Sequence, residues 1–453
     1  MVEHTEKYAT HYEKLMDALR SEQMKYFREE FLDLHPYEQS MFFMEQSKDN
    51  RMKMYAYLSP DEVADIMEHI DLEETKEYIT EMDPRFASMV FAEMATDDAV
   101  DILNGLEKDK VASFLTIMDS ESAEEIKQLL HYEEKTAGSI MTTEFVSIDK
   151  SQTVQETMRQ LKREGPDAET IYYLYVVDED KQLVGVLSLR DLIVSDEDTL
   201  ISDIMSEKVV AVSVAKDQEE IASMMRDYDF LAVPVVDFQN HLLGIITVDD
   251  ILDVMDEEAS DDYSKLAAVA DVDKPDDSPF KAAKKRLPWL IILLFLGMLT
   301  ASLIDQFEDT LEQVATLAIF IPLIAGMAGN TGTQSLAVAV RGIATGDYGK
   351  QKKMVLMLKE TGTGLITGSV CGIVIVLVIY VWKQEFFLGL LVGAALLVTL
   401  TIATLSGSVI PLIMNKLKID PAVASGPFIT TINDLISTFI YFGLATTFMS
   451  YLI

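Results

Sequence analysis

Apolar residues follow three different rhythms along this chain of 453 residues, and each predicts a different kind of structure. Between 61 and 132 the period is twelve residues: DEVADIMEHIDL, EETKEYITEMDP, RFASMVFAEMAT, DDAVDILNGLEK, DKVASFLTIMDS, ESAEEIKQLLHY. The sixth place holds Ile66, Tyr78, Val90, Ile102, Phe114 and Ile126, and the tenth holds Ile70, Met82, Met94, Leu106, Met118 and Leu130. One short helix per period, each burying its stripe against its neighbours, predicts an all-α superhelical N domain over 1–135. Ser59-Pro60-Asp61-Glu62 is a strong helix start. Acids open several units (Asp61/Glu62, Glu73/Glu74, Asp97/Asp98, Glu121), where capping and the helix dipole favour them. Residues 1–58 are charged and helical in pattern, and predict either a further helix of this domain or an extension from it.

The second rhythm is a duplication over 140–256. Ile140-Met141 matches Ile204-Met205, Val176-Val177-Asp178 matches Val235-Val236-Asp237, and Gly185 aligns with Gly244. LVGVLSLRDL and LLGIITVDDI are short apolar strands running into helices, and VQETMRQLKR and QEEIASMMRD have helical spacing. These are α/β units over 136–200 and 201–258.

The third rhythm is near-continuous hydrophobicity. Stretches at 287–304, 314–340, 354–382, 386–414 and 421–452 each approach or exceed the roughly 20 residues that span a bilayer core. They predict an all-α membrane domain of five transmembrane helices over 287–453, with breaks at Pro322 and Pro411. Lys281, Lys284, Lys285 and Arg286, then Arg341, Lys350, Lys352, Lys353 and Lys359, then Lys416 and Lys418 all fall on one side, with only Lys383 opposite. That bias places residues 1–286 in the cytoplasm and the C-terminus outside. The N-terminus has no apolar core of a signal peptide.

Charge sharpens the division. Residues 281–453 hold 12 Lys/Arg and 9 Asp/Glu, which leaves 25 basic and 66 acidic residues in 1–280. An acidic half of this strength repels nucleic acid and favours hard divalent cations. The single cysteine, Cys371, rules out an internal disulfide. The six histidines (His4, His11, His35, His69, His131, His241) precede the membrane at no ligand spacing, which disfavours zinc and copper.

Two membrane segments are unusual. PLIAGMAGNTGTQS, from Pro322 to Ser335, carries small residues with Asn330, Thr331, Thr333 and Gln334. Helix packing and pore lining both fit it. SGPFITTIND ends on Asp434, read as the only acidic residue well inside a span. It lies about 20 Å from Asp420 if the helix is continuous, near the midplane, with no Lys or Arg at that depth. A lone intramembrane carboxylate points to a cation path.

The duplicated units resemble tandem CBS domains. In this order, the twelve-residue solenoid, CBS pair and five spans resemble the MgtE magnesium transporter family, with PLIAGMAGNTGTQS and DPAVASGPFITTIND as the specific motifs. The resemblance implies a homodimer in the lipid bilayer, a connecting (plug) helix over 259–286, and Mg²⁺ glueing that helix to the soluble domains. Carried over by motif, the Mg²⁺ candidates are Asp97 and Asp98, Asp229, Asp250, Asp253, Glu257 and Glu258, and Asp420 at the pore mouth. Asp434 is the ligand in the pore, helped by Asn330 and carbonyls beside Pro427. CBS modules of the Ser/Thr-x-x-Asp kind also hold adenine nucleotides. Ser188/Asp191 and Thr247/Asp250 match that pattern, and equally match helix N-caps. An ATP site is therefore a second expectation. No nucleophile–base pair or phosphate-cradling loop argues for an enzyme. A membrane-anchored CBS sensor, and transport of Mn²⁺, Co²⁺, Ca²⁺ or a Na⁺-coupled solute, are the competing functions.

Overall fold

The computed structural model describes residues 2–270, 278–344 and 352–452. It divides into two compact units, 1–255 and 256–453.

The first unit opens with ten helices: α1 (Val2–Arg20), α2 (Met24–Phe31), α3 (Pro36–Met44), α4 (Lys48–Tyr57), α5 (Pro60–Met67), α6 (Leu72–Glu81), α7 (Pro84–Glu93), α8 (Thr96–Asn104), α9 (Lys108–Ile117) and α10 (Ser120–Leu129). Each period of the repeat is one helix and one turn. All six residues at the sixth place are at most 9% exposed, so the twelve-residue stripe is the core stripe. Alternate helices stack: α3 on α5, α5 on α7, α7 on α9, and α8 on both α6 and α10. Residues 1–58 are four further helices of the same domain, and Leu15, Leu19, Phe27, Phe31, Phe42 and Phe43 are fully buried in its core.

The duplication follows as β1 (Phe145–Asp149), α11 (Val154–Glu164), β2 (Thr170–Val177), β3 (Leu183–Ser188) and α12 (Leu189–Val194), then α13 (Ile201–Ile204), β4 (Val212–Ser213), α14 (Gln218–Tyr228), β5 (Ala232–Val236), β6 (Leu242–Thr247) and α15 (Val248–Leu266). Each copy is a three-stranded sheet with one parallel and one antiparallel pair. Val176 faces Gly185 and Val235 faces Gly244, so the aligned residues occupy the same register. The copies are interleaved. A Cβ on Gly185 would lie 2.6 Å from Sδ of Met205, and one on Gly244 would lie 2.6 Å from the Thr142 carbonyl and 3.0 Å from Met141. Each copy's leading Ile-Met segment thus packs on the other copy's sheet, matched by the isolated bridges Thr142–Ile245 and Val186–Ser206.

The second unit contains α16 (Pro279–Asp305), α17 (Glu308–Gln313), α18 (Ile321–Ala344), α19 (Lys352–Lys383), α20 (Phe386–Lys416) and α21 (Gly426–Thr447). Among the described residues five helices are long and apolar enough to cross a membrane, matching the five predicted stretches. A 3₁₀ turn, Ala315–Phe320, gives way to α18 beside Pro322, where the break was expected. Pro411 does not break α20, which runs through it. Within a bundle, neighbouring helices and local adjustment absorb the lost backbone bond. The connecting segment differs too. α15 ends at Leu266, and Ala268 takes a left-handed φ of 57°. The Ala268 N–H donates to the Lys265 carbonyl and the Val269 N–H to that of Ser264, a Schellman closure with alanine where glycine is usual. One unbroken helix over 259–286 is therefore not formed, and residues 271–277 of that stretch lie outside the described residues.

Glycines set the helix spacing. A Cβ on Gly364, Gly368 or Gly372 of α19 would come within 2.7–2.9 Å of the α20 backbone at Thr401, Leu397 or Gly393. The pair is a four-residue small-residue seam of the kind membrane helices use for close approach.

Candidate functional site

The membrane unit assembles a polar layer from four helices. Asn433 of α21 is 1% exposed, and its Oδ1 accepts from Ser406 Oγ of α20 at 2.7 Å. Its Nδ2 has no hydrogen-bond partner and presses on α18, 2.0 Å from where a Cβ of Gly332 would stand. Only glycine fits there. Gly407 of α20 meets the same place: its Cβ would lie 2.2 Å from the Gly332 carbonyl. One turn on, Ser335 Oγ bonds Glu360 Oε2 of α19, and both residues are buried.

Asp434 follows Asn433 and is half-buried. Its neighbours on the chain are polar or apolar, and among the described residues its carboxylate has no hydrogen bond or ion pair. Because α21 starts at Gly426, Asp434 lies about 12 Å into a helix of about 32 Å, nearer one end than the midplane expected from a helix starting at 421. Glu360 corrects the view of Asp434 as the sole buried acid. It follows Lys359, which counts among the flanking cations, yet it lies inside the span Met354–Lys383 and is 6% exposed. Asn330 is exposed on α18, and no hydrogen bond joins it to Asp434. The open face it shares with Gly326 and Gln334 is uncovered within one chain.

The first unit gathers carboxylates instead. Asp97 and Asp98 open α8, Glu68 accepts from the Ala95 N–H at that helix start, and Glu144 accepts from Thr96 Oγ1. Asp97 is buried, and its Oδ1 has no partner. Burial, then Asp250 and Asp98, hold its carboxyl well above the usual range. Burial, then Glu68 and Asp250, push Asp98 up to about 8. Burial, then Asp249 and Asp250, push Glu169 up to about 7. Asp250 is raised chiefly by burial, and also accepts from Thr247 Oγ1 at 2.6 Å. Burial and neighbouring carboxylates thus raise all six of these carboxyls, with His69 beside Glu68 acting the other way. As placed, no three such groups among the described residues stand close enough to share a metal ion. The donor set still fits a hard cation: oxygen only, with one buried oxygen lacking any partner.

The remaining candidates scatter. Asp253 and Glu257 are exposed on α15 at helical spacing from Asp250, with Glu258 half-buried beside them. Asp229 is exposed and takes the left-handed end of α14. Asp420 has partners already. Its Oδ1 accepts the Ala422 N–H at 2.8 Å, and its Oδ2 lies 2.5 Å from Nζ of Lys265, which also holds Asp261 at 2.8 Å. Ser188 and Asp191 close α12 on themselves, Oγ to Oδ2 at 2.6 Å. Ser188 also lines a surface cavity with Tyr172, Tyr173 and Arg190, and a second cavity on the other side of Tyr173 holds Tyr175, Lys208 and Phe230. Thr247 and Asp250 line neither cavity, and Asp250 looks toward the carboxylates instead.

Comparisons with known proteins cover nearly the whole chain. Residues 321–444 match the family described as divalent cation transporter, 34–135 the MgtE intracellular N domain, and 137–197 and 201–257 the CBS domain. A magnesium transporter MgtE of Enterococcus faecalis is 58% identical over 97% of both chains. Those of Bacillus subtilis and Thermus thermophilus are 41% and 38% identical, each over at least 95% of this chain and 97% of their own. The crystal structure of the soluble part of a magnesium transporter is 54% identical, covers 56% of this chain and 99% of its own, and has a TM-score of 0.54. The cytosolic domain of the Mg²⁺ channel MgtE in complex with ATP is 39% identical, covers 54% of this chain and 99% of its own, and has a TM-score of 0.51.

Proposed function

This chain belongs to the MgtE family of magnesium transporters, and we propose that it carries Mg²⁺ across the cell membrane as a homodimer, along a path at Asp434. Asp434 carries the reading: a half-buried carboxylate inside a span, with no partner of its own, in a layer whose other polar groups are fixed. Mg²⁺ keeps most of its water and takes one or two carboxylates, which an Asp434 from each of two copies supplies. The uncovered polar face of α18 around Gly326, Asn330 and Gln334 supports a second copy. Residues 1–286 face the cytoplasm by the distribution of Lys and Arg.

Closure follows from the carboxylates of the first unit and of α15. Cytoplasmic Mg²⁺ bound among Asp97, Asp98 and Asp250, and along Asp253, Glu257 and Glu258 of α15, offsets their repulsion and favours one arrangement of the soluble domains. Without Mg²⁺ the repulsion favours another. The ion shifts the balance only by binding one state better. Mg²⁺ flux through the full chain in liposomes, compared with Mn²⁺, Co²⁺ and Ca²⁺, tests the transport reading. Flux of Mg²⁺ that rises as free Mg²⁺ falls on the side of residues 1–286 is expected, and no Mg²⁺ flux at any setting overturns it.

A nucleotide reading has its own support. Tyr172, Tyr173 and Arg190 on one side, and Tyr175, Lys208 and Phe230 on the other, offer aromatic faces and cations to an adenine nucleotide. The 39%-identical cytosolic domain holds ATP. On this chain, ATP adds a ligand between the CBS copies rather than at Thr247 and Asp250.

A further inference from the structure

Lys265 stands where a metal ion was expected. It lies in the last turn of α15, one residue before that helix closes. Its Nζ is 2.5 Å from Asp420 Oδ2 and 2.8 Å from Asp261 Oδ2. Asp420 sits in the turn that opens α21, 155 residues away. Its other oxygen is tied to the Ala422 N–H, so the carboxylate reports the geometry of that turn directly. The next residue on α15, Leu266, packs on a small core made by Leu336 and Val340 of α18 with Ala422, Ala424 and Ile429. Its carbonyl comes within 3.5 Å of where a Cβ of Gly426, the first residue of α21, would stand. The closure at Ala268 ends the helix here, with Lys265 on the turn that opens α21 and Leu266 packed against α18. Asp262 is drawn in as well: burial, then Asp420, raise its carboxyl above the usual range.

We infer that Lys265 is a tethered counter-ion that latches the end of α15 onto the turn opening α21, so that this contact forms with no bound metal. The inference rests on the transport reading and adds a regulatory contact to it. An ammonium on the chain neutralises Asp420 and Asp261 at every Mg²⁺ concentration, whereas an ion from solution does so only above its binding range. The latch gives the path a closed bias of its own, and cytoplasmic Mg²⁺ adds to it through the acidic residues farther up α15 and in the first unit. A contrary expectation follows if Asp420 serves only as a Mg²⁺ ligand: Lys265 then competes with the ion, and its removal strengthens inhibition.

The test measures Mg²⁺ flux through the full chain in liposomes while free Mg²⁺ is set on the side of residues 1–286. Under the latch, Lys265→Met raises flux at low Mg²⁺ roughly threefold, as suits a half-exposed ion pair, and moves the closing concentration upward. Lys265→Arg keeps the charge and stays near wild type. Asp420→Asn raises flux like Lys265→Met, and combining the two adds nothing further, because both remove one interaction. A closing concentration that falls in Lys265→Met, or single effects that add in the double variant, overturns the latch. Wild-type protein that carries no Mg²⁺ overturns the transport reading instead, so the two failures are told apart. Each variant is first shown to elute as the wild-type species in detergent, which leaves an unchanged flux as evidence against the latch.

Discussion

The two units handle negative charge in opposite ways. The first crowds Asp97, Asp98, Glu68, Glu144, Glu169 and Asp250 until burial and repulsion from neighbouring carboxylates raise every one of them. The second leaves Asp434 without an ion pair among the described residues and fixes its polar surroundings with glycines and hydrogen bonds. Crowded carboxylates respond to a cation by changing their arrangement, because repulsion is the quantity the ion removes. An isolated carboxylate in a fixed frame responds by binding. On the proposed reading, the same residue type serves a sensor in one place and a path in the other.

The largest expected effect lies on the isolated side. Asp434→Asn keeps the shape and removes the charge, so Mg²⁺ flux in liposomes falls by about 100-fold or more while the protein still assembles, as loss of a charged ligand in a low-dielectric site implies. Flux within a few-fold of wild type breaks the contrast.

A middle effect lies on the crowded side. Asp98, held at about 8 in the folded protein, has a folded value above its unfolded one. Its contribution is therefore fully present below the unfolded value of roughly 4 and is lost as the pH rises toward 8. Without Mg²⁺, the first unit melts higher at pH 6 than at pH 8, by roughly 4 °C. Added Mg²⁺ at pH 8 restores the loss and releases protons, which a pH-stat reads. Asp97→Asn with Asp98→Asn flattens both responses, and an unaltered pH dependence in that variant shows the crowding is not their source.

The smallest effect probes the frame around Asp434. Ser335→Ala leaves the buried Glu360 carboxyl without its hydroxyl partner, at a cost of about 1–3 kcal/mol. Its melting temperature drops with little change in apparent Mg²⁺ affinity, whereas a shifted affinity with unchanged melting places Glu360 on the ion path.

Much of this was legible in the sequence because periodicity and burial have the same cause. Each sixth residue of the solenoid repeat is core, and Val176/Gly185 and Val235/Gly244 share a register that their alignment anticipated. The five spans needed only hydropathy. What stayed hidden depends on approach in space. Nothing local in Lys265 or Asp420 announces a pair 155 residues apart. Glu360 was masked by the lysine beside it. The interleaving of Met141 and Met205 needed the sheets themselves, since each segment reads as the start of its own copy. Asp250 matches a nucleotide motif by sequence, whereas its hydrogen bond from Thr247 and its nearness to Asp97 needed the fold.

The glycine seam between α19 and α20 limits how the path can open. With backbones this close at Gly364, Gly368 and Gly372, neither helix can rotate or slide past the other without a collision of main chains. The two therefore behave as a fixed post within each copy. The equally close approach of Gly407 to Gly332 ties α18 to the same post, so any widening near Asp434 falls to α21 and the loosely attached α16, and probes that report distance should move when placed on those two helices and stay still across the post.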